Sequence, residues 1–231
     1  MRRIVTVSGF LILICLSCNY KGGNNSYINI SPTGNNDTIG KFNNYDSLNL
    51  DNGLLDEQLV NKATDLQKEA GMPISHDDTL KLEKALALLD EAMNVNSRND
   101  VALANKVKLL TMLGRFSEAL DGLEILIESK ANYAEGYAYS GFIYEKIGKN
   151  DSSQIMYHKA ILAYDNRISN YGKLNDEINR AFLFFFVSSP EIARNQLTKI
   201  ITKYPNDKSL KNIEYSFENF NREKFIEDAL Y

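Results

Sequence analysis

Few residues in this chain could do chemistry. Cys15 and Cys18 are the only cysteines, and their Cys-x-x-Cys spacing is one that redox pairs and metal sites use. His76 and His158 are the only histidines. Ser75-His76-Asp77-Asp78 sets an imidazole beside two carboxylates, a fragment of a metal site. Ahead of a helix the same residues serve as a cap, with Ser75 and Asp77 as the capping residues and Pro73 marking the loop. No GxSxG or SxxK accompanies a serine, and no Gly-rich phosphate loop is present. The residues therefore predict no enzyme, no metal, no cofactor and no small-molecule substrate. What stands out instead is AFLFFFV at 181–187, with Phe182, Phe184, Phe185 and Phe186 inside five positions. Such a run is a buried strand, a stub of membrane helix, or a helix apolar on both sides whose outer rings bind something.

The cysteines lose their chemistry once their surroundings are read. Arg2 and Arg3 precede an apolar stretch, Ile4–Leu16, too short to span roughly 30 Å of hydrocarbon. It ends in Leu16-Ser17-Cys18, which resembles the lipobox of bacterial lipoproteins, although Cys15 occupies a position where an aliphatic residue is usual. The resemblance implies a signal peptide over 1–17, cleavage before Cys18 and a lipid on that cysteine. A secretory signal cut slightly later and an uncleaved anchor are the other readings of these residues. Cleavage before Cys18 removes Cys15 and leaves no thiol pair, so packing alone must stabilise the domain. It also lowers Lys+Arg from 26 to 24 against 30 Asp+Glu, a net charge of −6. Charge this mild and interspersed does not point to nucleic acid.

Residues 19–53 contain ten Asn and five Gly and show no apolar period. A segment so polar cannot bury enough surface to offset the entropy of ordering. Together with Cys18 it reads as a disordered tether, 18–53, with an r.m.s. reach of roughly 30–35 Å. Asp37-Thr38-Ile39, Asp46-Ser47-Leu48 and, further on, Asp78-Thr79-Leu80 are similar to a bacterial O-glycosylation motif. The same triplets also make local Asx and ST turns.

The elements that must position the phenylalanines emerge from an internal repeat. Asp100–Tyr133 and Ala134–Arg167 align without gaps over 34 residues. Counting each start as position 1, Leu103 and Tyr137 share position 4, Val107 and Gly141 position 8, and Leu110 and Tyr144 position 11. Gly114 and Gly148 share position 15. Ala119 and Ser153, Leu123 and Tyr157, and Leu126 and Ala160 follow at 20, 24 and 27. Two helical faces result, joined by a glycine suited to a left-handed C-cap. The pattern resembles the tetratricopeptide repeat, a 34-residue pair of antiparallel helices. Tyr204-Pro205 extends the frame to 174–207 after a linker at 168–173. In that frame Ala181 and Phe184 take positions 8 and 11. Upstream, 56–99 fits with a first helix over Asp56–Ala70. Residues 208–231, with Leu210, Ile213, Phe217 and Phe220 on one face, read as a single amphipathic capping helix. The expectation is an all-α domain over 54–231, a right-handed superhelix of antiparallel helix pairs with about four repeats and a C-terminal cap.

In such repeats the inner surface is lined by positions 2, 5, 9, 12 and 13 of the first helix. Carried to this chain, the resemblance places Lys108, Thr111 and Met112 in the groove from the second repeat. It adds Glu135, Phe142, Glu145 and Lys146 from the third and Phe182, Phe185 and Phe186 from the fourth. An alternative keeps the groove from a partner: the C-terminal segment folds back over Phe182, Phe185 and Phe186, leaving Phe142 and the Lys108/Glu145/Lys146 region open. One variant of the family grips a peptide carboxylate with a ring of Lys, Asn and Arg. Here Ala104, Ala138 and Phe142 stand beside Lys108, so that ligand is not implied.

The resulting expectation is a non-enzymatic scaffold or adaptor of the bacterial cell envelope, lipid-anchored at Cys18, with the outer membrane favoured over the inner. It binds a peptide or protein in its groove. Two other readings are a subunit of an outer-membrane assembly or secretion machine, whose small lipoproteins share this layout, and a periplasmic immunity or inhibitor protein.

Overall fold

Gly114 and Gly148, 34 positions apart, both take left-handed backbone, with φ of +72° and +74°. The turns around them are alike bond for bond. The Gly114 N–H donates to Thr111 O at 3.0 Å and the Arg115 N–H to Leu110 O at 2.8 Å. The Gly148 N–H donates to Glu145 O at 3.0 Å and the Lys149 N–H to Tyr144 O at 2.8 Å. This double bond pattern is the Schellman C-cap, which needs a residue without a Cβ penalty at the left-handed position.

The computed structural model describes residues 45–71 and 74–228, with side chains described from Leu55 onward. Among them are ten helices and no strand. In chain order these are α1 (Tyr45–Glu69), α2 (His76–Val95), α3 (Asp100–Met112), α4 (Phe116–Ser129) and α5 (Ala134–Lys146). They continue with α6 (Asn150–Tyr171), α7 (Leu174–Val187), α8 (Pro190–Lys203), α9 (Leu210–Glu218) and α10 (Arg222–Asp228). Successive helices pack against each other in adjacent pairs, and α10 departs from that order by returning to α5. None of the described helices is long and apolar enough to cross a membrane.

Most of the repeat positions form the core, while Tyr137 and Tyr144 are half-buried. Ala63, Ala85, Leu89, Ala92, Val107, Leu110, Ala119, Leu123, Leu126, Tyr157, Ala160, Ala181, Ala193 and Leu197 are all buried. The close approach between helices is set by exchange of size. A Cβ on Gly141 would come within 2.4 Å of the Tyr157 ring, and one on Gly122 within 2.7 Å of Val107. The glycine lies on α5 in one pair and on α4 in the other, each opposite the bulkier partner.

Four features differ from the sequence expectation. Helix α1 begins at Tyr45, so 45–53 is helical where tether was expected. The helix cap at residue 75 is a full capping box, but Asp78 at N3, not Asp77, closes it. Helix α6 runs on through Tyr171 and stops where Gly172 turns left-handed, absorbing most of the expected linker at 168–173. The capping helix is two helices, α9 and α10, parted around Asn219–Asn221. Asn219 Nδ2 folds back to Tyr215 O at 2.7 Å, a local bond of the sort that competes with helix continuation.

A ring-lined surface and its C-terminal cover

The expected groove residues fall on three helices. On α3, Lys108 and Met112 are half-buried, whereas Thr111 is fully buried and donates to Val107 O at 2.8 Å. Met112 receives Gln67 Nε2 at 3.3 Å from α1. On α5 stand Phe142, Glu145 and Lys146, and on α7 Phe182, Phe185 and Phe186. The structure brings the last six together and leaves the α3 residues in the preceding pair.

The phenylalanines are not open. Phe182, Phe185 and Phe186 are buried, and residues 210–228 supply the cover. Phe217 and Phe220 reach α7 first, with ring centroids 5.2 and 4.4 Å from Phe185. Phe225 then lies 5.4 Å from Phe182 and 5.7 Å from Phe186. Phe142, expected open even under a C-terminal cover, is buried as well, 5.2 Å from Phe225. The break between α9 and α10 explains this. A straight helix would have stayed on α7 and α8, while the turn at Asn219–Asn221 sends α10 across α5. Phe184, expected as core, is only half-buried and faces the Arg180 guanidinium at 6.0 Å.

A polar seam borders the rings. The Tyr157 hydroxyl donates to Glu145 Oε2 at 2.7 Å, and Arg222 Nε donates to Glu145 Oε1 at 2.7 Å. The Arg222 guanidinium also lies 5.4 Å from the centre of the Phe186 ring. Its hydrogen bond to Glu145 raises its pKa further above the usual arginine value. Burial, with Glu145 beside it, pushes the Tyr157 phenol well above its ordinary value. Lys146 Nζ donates to Glu227 O at 3.0 Å, and Arg194 on α8 donates to the Phe217 and Glu218 carbonyls, both at 3.3 Å, at the end of α9. Glu145 and Lys146, expected to remain open, therefore both hold the cover.

A second charged cluster lies beyond the seam. Arg167 on α6 forks onto Asp176 of α7 and reaches both Glu135 oxygens of α5, at 2.8 and 2.7 Å. Burial opposes the charge on this guanidinium, but Glu135 and Asp176 outweigh it and raise its pKa. Arg167 thus clamps three helices together, and Glu135, carried to the groove by the repeat pattern, is one of its two carboxylate partners.

The remaining candidates do not assemble. His76 is exposed at the first position of α2 and His158 is exposed on α6. Among the described residues no three of His, Cys, Asp and Glu stand close enough to hold a metal ion. Thr79 of the Asp78-Thr79-Leu80 triplet donates its hydroxyl to Ser75 O at 3.0 Å. Cys15, Cys18, Pro73 and the Asp37 triplet lie outside the described residues, and the side chains of the Asp46 triplet lie outside those described. No spacing in the sequence announces Arg222 or Arg167, because each acts on residues of other helices. No family model matches the chain, and no curated protein matches it.

Proposed function

We propose that the protein is a non-enzymatic protein-interaction module, a tetratricopeptide-like solenoid in the form of a right-handed superhelix. A lipid on Cys18 holds it at the bacterial cell envelope, and a peptide or protein partner binds on the face formed by the first helix of each pair. The observation that carries this reading is that α5 and α7 already hold an amphipathic segment, residues 210–228, seated through three phenylalanines and an arginine. Surfaces that recognise helical peptides work in the same way, with apolar anchors in a groove and a polar rim. The repetition of the Gly114 and Gly148 turns supports the solenoid.

The test is photo-crosslinking in native envelopes of the producing bacterium. A benzophenone residue is placed at Lys108 or Met112 on the proposed binding face, or at Ile155 or Leu162, exposed on α6. The reading expects one partner, crosslinked from Lys108 or Met112 but not from the α6 sites. Equal labelling from both sets, or from neither, contradicts it. Mass spectrometry of the mature N-terminus tests the anchor, which expects a lipid-modified Cys18 as the first residue.

A further inference from the structure

We propose that residues 210–228 are a displaceable intramolecular ligand, and that the surface beneath them takes a partner segment of the same chemistry. That segment carries aromatic residues on both sides of a guanidinium, in the order and spacing of Phe217, Phe220, Arg222 and Phe225. The inference rests on the interaction reading above and adds the identity of the occupant and its control.

The cover has the build of a bound peptide rather than of another repeat. Its two helices are 9 and 7 residues long, below the roughly 12–15 residues at which an isolated helix becomes marginally stable. Ser209, the residue before α9, gives it no side-chain cap. Its order therefore comes from the surface it rests on, which marks a segment able to open on its own. Its faces are divided accordingly. Leu210, Phe217, Phe225 and Ile226 point inward and are buried, while Lys211, Glu214, Tyr215, Glu218, Glu223 and Lys224 are exposed.

The surface beneath is prepared for such a ligand. Glu145 is fixed by the Tyr157 hydroxyl of α6, a contact that does not involve the cover. Its carboxylate thus stays aimed beside Phe142 and Phe186 whether or not Arg222 is present, ready for a cation flanked by rings. The Arg222–Glu145 pair itself leaves the arginine 39% exposed, so solvent and salt weaken it. Loss of the cover would expose Phe142, Phe182, Phe185 and Phe186 as one contiguous apolar patch, which water disfavours. Opening is therefore transient until a replacement arrives, and the covered state is the resting state.

The experiment uses the full chain and a labelled synthetic peptide of residues 209–228 as the probe. In the wild-type chain, amides of 210–228 should exchange with deuterium at least about tenfold faster than those of α5 and α6. Raising the salt should speed them further. Arg222→Glu, which sets a carboxylate against Glu145, should bind the peptide at least about tenfold more tightly than wild type does, because its own cover competes less well. A peptide carrying Phe225→Ala should not bind. The proposal is overturned if 210–228 exchange together with α5–α8 as one unit, and also if the Arg222→Glu chain captures no peptide. Concentration-dependent dimers of that chain without peptide capture would assign the surface to a second copy and likewise overturn it. Should Arg222→Glu fail to fold, exchange in the wild-type chain decides alone. A partner crosslinked from Lys108 or Met112 while the cover stays closed would keep the interaction reading and remove this one.

Discussion

Glu145 and Arg222 stand 77 positions apart in the chain and 2.7 Å apart in space. The pair joins the α5 helix to the last helix of the fold. Its two halves are unequal, because Glu145 also accepts the hydroxyl of the buried Tyr157 while Arg222 faces solvent along one side. Glu145→Ala should therefore cost about 1–3 kcal/mol, since it strands a buried hydroxyl as well as the arginine. Arg222→Ala should cost under about 1 kcal/mol after solvent screening. Urea denaturation of both variants checks the order, and equal losses would contradict it.

The ring cluster gives a sharper contrast. Phe186 is buried between Phe142, Tyr157 and Phe225, whereas Phe184 two positions earlier is half-buried. Phe186→Ala should destabilise by about 3–5 kcal/mol, the range for emptying a packed aromatic site. Phe184→Ala should cost clearly less. The repeat phase with an open groove expects the opposite order, so thermal or urea unfolding of the two variants separates an open from a covered surface.

Two glycines should respond for different reasons. Gly141→Ala drives a Cβ to within 2.4 Å of the Tyr157 ring, which is locked among other rings and cannot yield. The expected loss is about 1–3 kcal/mol, from overpacking. Around Gly148 there is open space, and the only strain of an added Cβ is its left-handed backbone at φ +74°. Gly148→Ala should lose about 1–2 kcal/mol and Gly148→Asn less, since asparagine tolerates that conformation. Equal effects of Ala and Asn at Gly148 would exclude the backbone explanation.

The start of α2 should respond to acid. Hydrogen bonds from the Ser75 hydroxyl and backbone, then from Gly71, with Lys81 nearby, lower the Asp78 carboxyl from 3.8 to about 2. A folded-state pKa below the ordinary value means that the contribution is complete above about pH 3.8 and is lost as the pH falls towards 2. Carboxyl NMR of Asp78 should titrate with a midpoint near 2, and Asp78→Asn should remove the pH dependence of the α2 amide signals in that window. A midpoint near 3.8 would contradict the capping box.

The parts of the fold legible in the sequence are those that repeat. Gly114 and Gly148 mark two turns because only a residue at ease in left-handed backbone suits both, and the alanines and leucines at fixed offsets mark the faces that meet. The illegible parts depend on unique long-range contacts. Nothing local shows that α1 starts at Tyr45 within an Asn- and Gly-rich stretch, or that its buried Asp56, further along, receives Asn96 and Asn99 from the α2–α3 turn. Nor does the even spacing of Leu210, Ile213, Phe217 and Phe220 show that the helix breaks at Asn219. That break carries Phe225 over to Phe142 and so buries a ring that the repeat pattern left open. The candidate surface was therefore legible as a set of residues and its C-terminal cover as one of two readings, while the reach of that cover to Phe142 was not.

The most direct measurement of the central claim is ¹⁹F NMR of the full chain with a single fluorophenylalanine at Phe225. In the resting protein its signal should have the shift of a buried ring, among Phe142, Phe182 and Phe186. Saturating unlabelled peptide of residues 209–228 should move a growing fraction of that signal to the solvent position, most completely in an Arg222→Glu background. A signal that stays at the buried position in both chains, whatever the peptide concentration, would show that the C-terminal helices are permanent core and contradict the account.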